Sequence, residues 1–177
     1  RDGAIWSISN HAFAGLNRFD GSEWTQFRLS SLSGNNVNMD TNTSILETSD
    51  GTLWIGGGAG FLHVLRDGKW SVWGPSDTPV SESRVIGLHE SSDGSLWIAG
   101  LGQEAIRLDH GNNRWKTFQG LDFQCETGDG ALWFLASDNT VVGVLNETWT
   151  RFGAADGLMD NPTSLLATRD GRLWSAG

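Results

Sequence analysis

The chain has 177 residues, enough for one ordinary domain, and its 12 basic and 21 acidic side chains give a net charge of −9. A nucleic-acid surface needs clustered lysines and arginines, so this balance excludes nucleic acid and an anionic membrane as expected partners. The 24 glycines and 38% hydrophobic residues are typical of short strands joined by tight turns, not of a disordered chain.

The first predicted elements repeat along the chain. The motif Asp-Gly-x-(Leu/Ile)-Trp occurs five times. Its successive tryptophans are 48, 43, 36 and 41 residues apart. Such a period indicates a repeat architecture. Between Thr43 and Gly74 one unit reads as four runs of β-forming residues, separated by the turns DG, GAG and DG. Four short antiparallel strands in about 40 residues are the content of a β-propeller blade.

In chain order, the sequence predicts an all-β propeller of four-stranded antiparallel blades, with strands A to D from inside to outside. About four blades are present in a single segment, 1–177, and a short strand A in blade 4 accounts for the 36-residue spacing. The predicted bounds are 1–28 for strands B to D of blade 1, 43–74 for blade 2, 84–118 for blade 3, 121–152 for blade 4, and 163–177 for the start of blade 5. Because both chain ends contain strand B, we expect a piece of a larger ring. The alternative is a four-bladed ring with a redundant terminal strand.

Two sets of aromatic residues recur at fixed repeat positions. A large ring at such a position contributes packing area, so both sets are expected to pack the sheets together. The strand-B set, predicted as the repeat core between neighbouring sheets, is Trp6, Trp54, Trp97, Trp133 and Trp174. The second set opens each strand D and comprises Trp24, Trp70, Trp115 and Trp149, with Phe27, Trp73, Phe118 and Phe152 three residues later.

These repeats carry a family resemblance. The segment AADGLMDNPTSLLATRDGRLWSAG at 154–177 resembles the repeat of two-component regulator propellers, which runs D-G-L-x-x-N, an apolar strand, then D-x-x-G-x-L-W-I-G. The segment GLNRFDGSEWTQF at 15–27 resembles its continuation. Blade 4 departs from the pattern with LWFLASDN, and blades 2 and 3 lack a clear D-G-L-x-x-N element. No motif of the family fixes a shared set of binding residues that could be transferred.

The resemblance implies a fold, a function and a location. Such repeats form propellers, often seven-bladed, in the extracytoplasmic sensor regions of bacterial hybrid histidine kinases. It therefore implies a periplasmic or extracytoplasmic ligand-sensing module without enzymatic activity of its own, in a full-length protein that could be a homodimer. Some members are similar to sensors of polysaccharide breakdown products, so the implied ligand is an oligosaccharide or another small molecule.

The candidate binding residues lie on one face. With strand A innermost, the D–A and B–C connections emerge together, and function concentrates in such loops. Their amides and carboxylates suit sugar hydroxyls; the alternative is an ordinary solvated polar surface. The candidates are Asn10, His11, Asn35, Asn36, Asp40, Arg84, Gln103, Glu104, Asp138, Asn139, Asp160 and Asn161.

No metal, cofactor or catalytic residue is predicted. The single cysteine, Cys125, excludes an internal disulfide and a cysteine-based metal cluster. The four histidines never fall at metal-ligand spacing within one element, and NVNMDTNTS lacks the glycine and glutamate of an EF-hand loop. No apolar run approaches 18 residues, so no membrane contact by this segment is expected.

Two other functional classes remain open at this point. Glu47, His89, Glu90 and Glu126 fall on inner strands, where His89 and Glu90 would serve as base and acid if both faced one substrate, and otherwise line a channel. One alternative is a lyase resembling the streptogramin (virginiamycin B) lyases, which are also propellers. Their repeat, D-G-x-(I/L/V)-W-F, is matched here once, by DGALWF at 129–134. The other is a passive protein-interaction scaffold.

Overall fold

A computed structural model describes residues 3–8, 15–27, 44–80, 84–109, 111–158 and 161–177. This part of the chain is built from strands, with two single 3₁₀ turns at Gly58–Gly60 and Ala154–Asp156. The strands are β1 (Ile5–Ile8), β2 (Leu16–Phe19), β3 (Trp24–Phe27), β4 (Ser44–Glu47), β5 (Leu53–Gly56), β6 (Leu62–Arg66), β7 (Lys69–Trp73), β8 (Val85–Glu90), β9 (Leu96–Gly100), β10 (Glu104–Asp109), β11 (Arg114–Gln119), β12 (Leu121–Glu126), β13 (Leu132–Ala136), β14 (Val141–Leu145), β15 (Thr148–Phe152), β16 (Ser164–Ala167) and β17 (Leu173–Ala176).

The strands form antiparallel sheets in which chain neighbours pair. The chain divides into two units, Arg1–Glu90 and Ser91–Gly177. The first unit contains the sheets β1-β2-β3 and β4-β5-β6-β7, and it ends with β8. The second contains β9-β10-β11, the sheet β12-β13-β14-β15 and the hairpin β16-β17. Two complete four-stranded sheets therefore lie each within one unit, with the strand content predicted for a blade.

The Asp-Gly turns are held by a hydroxyl residue two positions before the aspartate. Thr48 Oγ1 donates to Asp50 Oδ1 at 2.7 Å and to the Thr52 carbonyl at 3.0 Å, and Asp50 Oδ1 accepts the Thr52 N–H at 2.9 Å. Gly51 takes a left-handed φ of 80°, a conformation that glycine adopts without strain. The same hydroxyl-to-aspartate bond recurs in the turns that begin at Ser91, Thr127 and Thr168. The (Ser/Thr)-x-Asp-Gly motif thus forms the turns that precede β5, β9, β13 and β17.

In the first unit, the core lies between the sheets β1–β3 and β4–β7. Leu16 and Ile55 are fully buried there, with Leu53 beside them. Phe27 connects the two sheets: its ring centroid is 5.8 Å from that of Trp6 and 6.2 Å from that of Trp70. The packing role expected for the aromatic residues at these repeat positions is therefore seen between these two sheets.

In the second unit, the core centres on Trp97, which is 2% exposed. The Trp97 ring centroid lies 5.4 Å from that of Phe118 in its own sheet, and 5.9 and 5.2 Å from those of Phe123 and Phe134. Because Phe123 and Phe134 belong to the next sheet, Trp97 is an inter-sheet contact.

The tryptophans of the strand-B set are not equally buried. Trp54 and Trp97 are 3% and 2% exposed, whereas Trp174 is 59% exposed, which differs from the core position expected for it. Trp174 lies on the two-stranded sheet β16-β17, and its cross-strand partner Leu166 is also 64% exposed. Within the described ranges, therefore, no sheet covers this face. In the second aromatic set, Trp24 is likewise 59% exposed.

The prediction that strand A of blade 4 is short is wrong. β12 has six residues, as many as β8 and more than the four of β4. The single residue Gly120, with a φ of 72°, connects β11 to β12, whereas residues 74–84 separate β7 from β8. The 36-residue spacing therefore reflects the short connection before β12. A connection of one residue requires a left-handed conformation there.

Two glutamates bind the turn of the sheet that precedes their own. Both oxygens of Glu90, at the end of β8, accept from Ser49: the N–H at 2.6 Å and the hydroxyl at 2.5 Å. Glu126, at the end of β12, accepts the Ser92 N–H at 2.9 and 3.2 Å. We call each contact a carboxylate latch. Each latch joins the last residue of a strand to an Asp-Gly turn earlier in the chain, 41 residues earlier for Glu90 and 34 for Glu126.

Replacing Glu126 with alanine is expected to lower the free energy of unfolding by about 1–2 kcal/mol. A hydrogen bond to a charged group contributes roughly 1.5–3 kcal/mol, and partial exposure reduces that contribution. Urea unfolding measures the change. The control is Glu104→Ala, because Glu104 accepts from Gln119 within its own sheet at 2.6 Å. Equal losses in the two variants would contradict a special role for the latch.

Candidate functional site

The predicted loop-face residues divide into two groups. Six lie outside the described residues: Asn10, His11, Asn35, Asn36, Asp40 and Asp160. The others are placed by the structure: Arg84 in the first unit, and Gln103, Glu104, Asp138, Asn139 and Asn161 in the second. Arg84 is exposed immediately before β8, and Asn161 is exposed before β16.

Asp138 shapes the turn between β13 and β14. Its Oδ1 accepts the Thr140 hydroxyl at 2.6 Å and the Thr140 N–H at 3.3 Å, and its Oδ2 forms an ion pair with Arg151. The hydrogen bond from Thr140, assisted by the Arg151 charge, holds the pKa of the Asp138 carboxyl below its usual value. Asn139 follows with a left-handed φ of 63° and an exposed side chain. The turn thus presents the Asn139 amide on a fixed backbone.

Glu104 and Gln103 occupy the equivalent connection between β9 and β10. Glu104 Oε1 accepts from Gln119 Nε2 at 2.6 Å, so this carboxylate is already held by its own sheet. Gln103 has a φ of 58° and is exposed. Each of these loop-face residues therefore has local surroundings of its own, and a shared ligand site among them stays a prediction.

The inner-strand acidic residues have a structural role. Both oxygens of Glu90 are engaged by Ser49, and both oxygens of Glu126 contact the Ser92 N–H. A carboxylate bonded in this way is poorly suited to deliver a proton to a substrate. These latches argue against the His89–Glu90 acid and base pair.

His63 is a buried polar residue that no sequence motif pointed to. It lies on β6 beside Ile55 of β5 and is fully buried, and among the described residues neither ring nitrogen has a hydrogen-bond partner. Burial lowers its pKa to about 4, because the charged form loses its hydration. His63 is therefore neutral near pH 7.

A cleft of about 530 Å³ opens between the sheets β9–β11 and β12–β15, both in the second unit. Its mouth is formed by the Asp-Gly turns and by the turn between β14 and β15, so it lies at the opposite strand ends from the predicted loop face. We call it the turn-side cleft. Its lining comprises Ser91, Ser92, Asp93, Trp97, Arg107, Lys116, Phe118, Glu126, Asp129, Gly130, Leu132, Val144, Leu145, Asn146, Glu147 and Trp149.

One wall of the cleft is cationic and aromatic. Trp97, Arg107 and Lys116 form a cross-strand row on β9, β10 and β11. The Arg107 guanidinium lies 5.9 Å from the Trp97 ring centroid and pairs with Asp93 and Asp109, each at 2.9 Å. Its charge is therefore neutralised locally.

The opposite wall is apolar, with a carboxylate at its edge. Leu132, Val144 and Trp149 form a cross-strand row on β13, β14 and β15. Trp149 is 44% exposed, although the sequence predicted a packing role for it. Glu147 stands at the turn before it, with a left-handed φ of 62°, where the turn between β6 and β7 has Gly68 at 71°. This Asn-Glu turn was the one local signal that could have drawn attention to the cleft.

The described residues show no metal-binding group. Within those ranges, no cluster of three or more His, Cys, Asp or Glu side chains could hold a metal ion. Cys125 is half-buried, and burial raises the pKa of its thiol. No helix in the described part of the chain is long and apolar enough to cross a membrane.

Comparison with solved structures places the chain among β-propellers. It is similar to two structures of the extracellular domain of BT4673 from B. thetaiotaomicron, described as a putative one-component and a putative hybrid two-component system. Each has 20% identity over 99% of this chain and 25% of that one, and the TM-scores are 0.70 and 0.69. PorZ, a surface component of the type-IX secretion system of Porphyromonas gingivalis, has 14% identity and a TM-score of 0.66 over 98% of this chain and 30% of its own. The β-propeller domain of Swd1 from Myceliophteria thermophila has 11% identity and a TM-score of 0.65 over 98% and 64%.

The chain spans about a quarter of the BT4673 structures. No curated protein matches its sequence. A family model described as "two component regulator propeller" matches residues 31–59, a stretch that contains β4 and β5. The predicted fold and the predicted resemblance are both confirmed: the chain has a β-propeller fold and carries the two-component regulator propeller repeat.

Proposed function

We propose that this chain is a ligand-sensing propeller module of a bacterial two-component signalling protein, located outside the cytoplasm. The match of residues 31–59 to the two-component regulator propeller carries the proposal. The similarity to a structure described as the extracellular domain of such a system supports the location. A full-length protein of this kind contains a membrane-spanning segment and a kinase in addition to the propeller.

The module binds its ligand and does not transform it. Its ligand is an oligosaccharide or another small molecule held at the loop face, where Asn139 and Gln103 are exposed on left-handed turn residues. The engagement of Glu90 and Glu126 in latches supports binding over catalysis, because it occupies the inner-strand carboxylates. A ligand that binds one packing state of a dimer more tightly than another shifts the population, and this shift reaches the kinase.

The test uses the full-length protein that carries this chain, in membrane vesicles. Maltohexaose, cellohexaose and xylohexaose are added in turn, and kinase autophosphorylation is measured. At least one is expected to change the rate, and Asn139→Ala is expected to weaken that response at least tenfold. Lys69→Ala, at the exposed start of β7 and at the other strand ends, is the matched control.

Two outcomes would contradict this function. If the gene lacks both an apolar stretch of about 20 residues and a kinase, the signalling role fails. If the kinase is present but none of the three sugars changes its rate, the oligosaccharide ligand fails.

A further inference from the structure

We propose that the turn-side cleft binds a small zwitterion with an apolar side chain, of the chemical class of an amino acid or a dipeptide. This site is separate from the loop face, and it would exist whether or not the loop face binds a sugar. A volume of about 530 Å³ lies within the range of small-molecule pockets. The features that favour such a ligand are the floor of the cleft and the two charges beside it.

Two aromatic rings, one from each wall, lie against each other, and we call this pair the floor of the cleft. The centroids of Phe118 on β11 and Trp149 on β15 are 5.2 Å apart, with a tilt of 34°. Phe118 is half-buried and Trp149 is 44% exposed, so an apolar group can lie against the rings. Burying a partly exposed indole under a ligand contributes binding energy through the apolar area removed from water.

Charges of opposite sign lie on the two sides of this floor. The Lys116 ammonium lies 5.0 Å from the Phe118 ring centroid, on the wall formed by β9–β11. The Glu147 side chain lines the opposite wall, two residues before Trp149. Within the described residues, neither Lys116 nor Glu147 takes part in an ion pair, in contrast to Arg107. Asp129 is outside the ion pairs too, but its carboxylate accepts from Thr127 and Ala131. Among the described charged side chains of the lining, Lys116 and Glu147 are therefore the two with neither an ion pair nor a hydrogen bond.

The charge pattern selects the kind of ligand. Asp93 and Arg107 are paired with each other, so a simple anion would meet chiefly Glu126, Asp129 and Glu147, and a simple cation would meet Lys116. A neutral ligand would displace water from Lys116 and Glu147 without replacing that hydration by an opposite charge. A zwitterion places its carboxylate at Lys116 and its ammonium at Glu147, with its apolar part over Phe118 and Trp149. Both charges are then compensated.

The conformation of Glu147 agrees with a binding role. A non-glycine residue in the left-handed region costs free energy, and Asn146 and Glu147 both adopt it, with φ of 49° and 62°. Gly68 occupies the corresponding place in the turn between β6 and β7 without that cost. Strained residues that the fold alone does not require occur often at binding sites.

The test is calorimetric titration of the full-length protein with glycyl-L-phenylalanine. The matched neutral probe is N-acetyl-L-phenylalaninamide, which keeps the aromatic group and removes both charges. The dipeptide is expected to bind at least tenfold more tightly than the neutral probe. Lys116→Met and Glu147→Gln are each expected to weaken it at least tenfold, whereas Lys69→Met leaves it unchanged.

A further variant separates binding from folding. Glu147→Gly is expected to raise the midpoint of thermal unfolding, because glycine suits the left-handed turn, while it weakens dipeptide binding at least tenfold. Equal binding of the charged and neutral probes would overturn the proposal, and so would wild-type affinity in Lys116→Met or Glu147→Gln. Absence of dipeptide binding at 10 mM, about the weakest affinity relevant to such a site, would also overturn it. Binding of maltohexaose that Glu147→Gln abolishes would assign the cleft to a sugar instead.

Discussion

Replacing Trp97 with alanine is expected to lower the free energy of unfolding by about 3–5 kcal/mol. Trp97 is 2% exposed and contacts Phe118, Phe123 and Phe134 with centroid distances below 6 Å. Truncation removes the transfer free energy of the indole and leaves a cavity between two sheets that cannot fully close. Chemical denaturation of the chain in urea measures the loss.

Trp174→Ala is the matched control for this substitution. Trp174 occupies the same place in the repeat but is 59% exposed, so its truncation is expected to change the free energy of unfolding by less than about 0.5 kcal/mol. Because the local sequences around Trp97 and Trp174 are nearly alike, the comparison isolates the contribution of burial to the free energy of unfolding from that of the repeat motif. Similar losses at the two positions would show that the local motif, and not inter-sheet packing, determines the contribution.

Acidification from pH 7 to pH 4 is expected to destabilise the fold by roughly 3 kcal/mol through His63. The native pKa of His63 is about 4, and its ordinary value is 6.5. Between these values the unfolded chain binds a proton that the native chain does not, so stability rises with pH across this window. Each unit of difference corresponds to about 1.4 kcal/mol. The loss therefore accumulates as the pH falls from about 6.5 to about 4.

The variant His63→Leu tests this dependence. Leucine has no proton to gain and no buried nitrogen without a partner, so the variant is expected to be at least as stable as the wild type at pH 7. Its advantage should grow as the pH falls below 6.5 and should be constant above pH 7. Parallel stability curves for the two proteins from pH 4 to pH 8 would exclude His63 as the source.

Strand content was predictable because its signals are local. Each (Ser/Thr)-x-Asp-Gly phrase closes its own hairpin through bonds that span four residues, as the contacts of Thr48 with Asp50 and Thr52 show. The β-forming runs on either side then pair with the nearest strand in the chain. Period and turn chemistry together were therefore enough to predict the sheets, although the 36-residue spacing was attributed to a short strand and not to the one-residue connection at Gly120.

Burial and the cleft could not be predicted in the same way. Trp97 and Trp174 stand in almost the same local sequence, but whether a sheet covers each of them is decided by residues far along the chain. The cleft likewise depends on Lys116 and Glu147, which come from different sheets and line one cleft only when these sheets pack. The sequence pattern directed attention to the loop face, where such propellers were expected to act, and it assigned Trp149 to the core.

The carboxylate latches also bear on how the sheets open. Because Glu126 accepts the Ser92 N–H from the neighbouring sheet, that amide proton exchanges with solvent when the Glu126 side chain turns away, when the two sheets separate or when the turn unfolds. The Gly94 N–H, bonded to Ser91 within the same turn at 2.8 Å, exchanges when the turn alone opens. The two amides therefore form an internal pair of reporters. If Ser92 exchanges more slowly than Gly94, the contact between neighbouring sheets opens less often than the hairpin turn beside it. The turn then opens before the sheets separate.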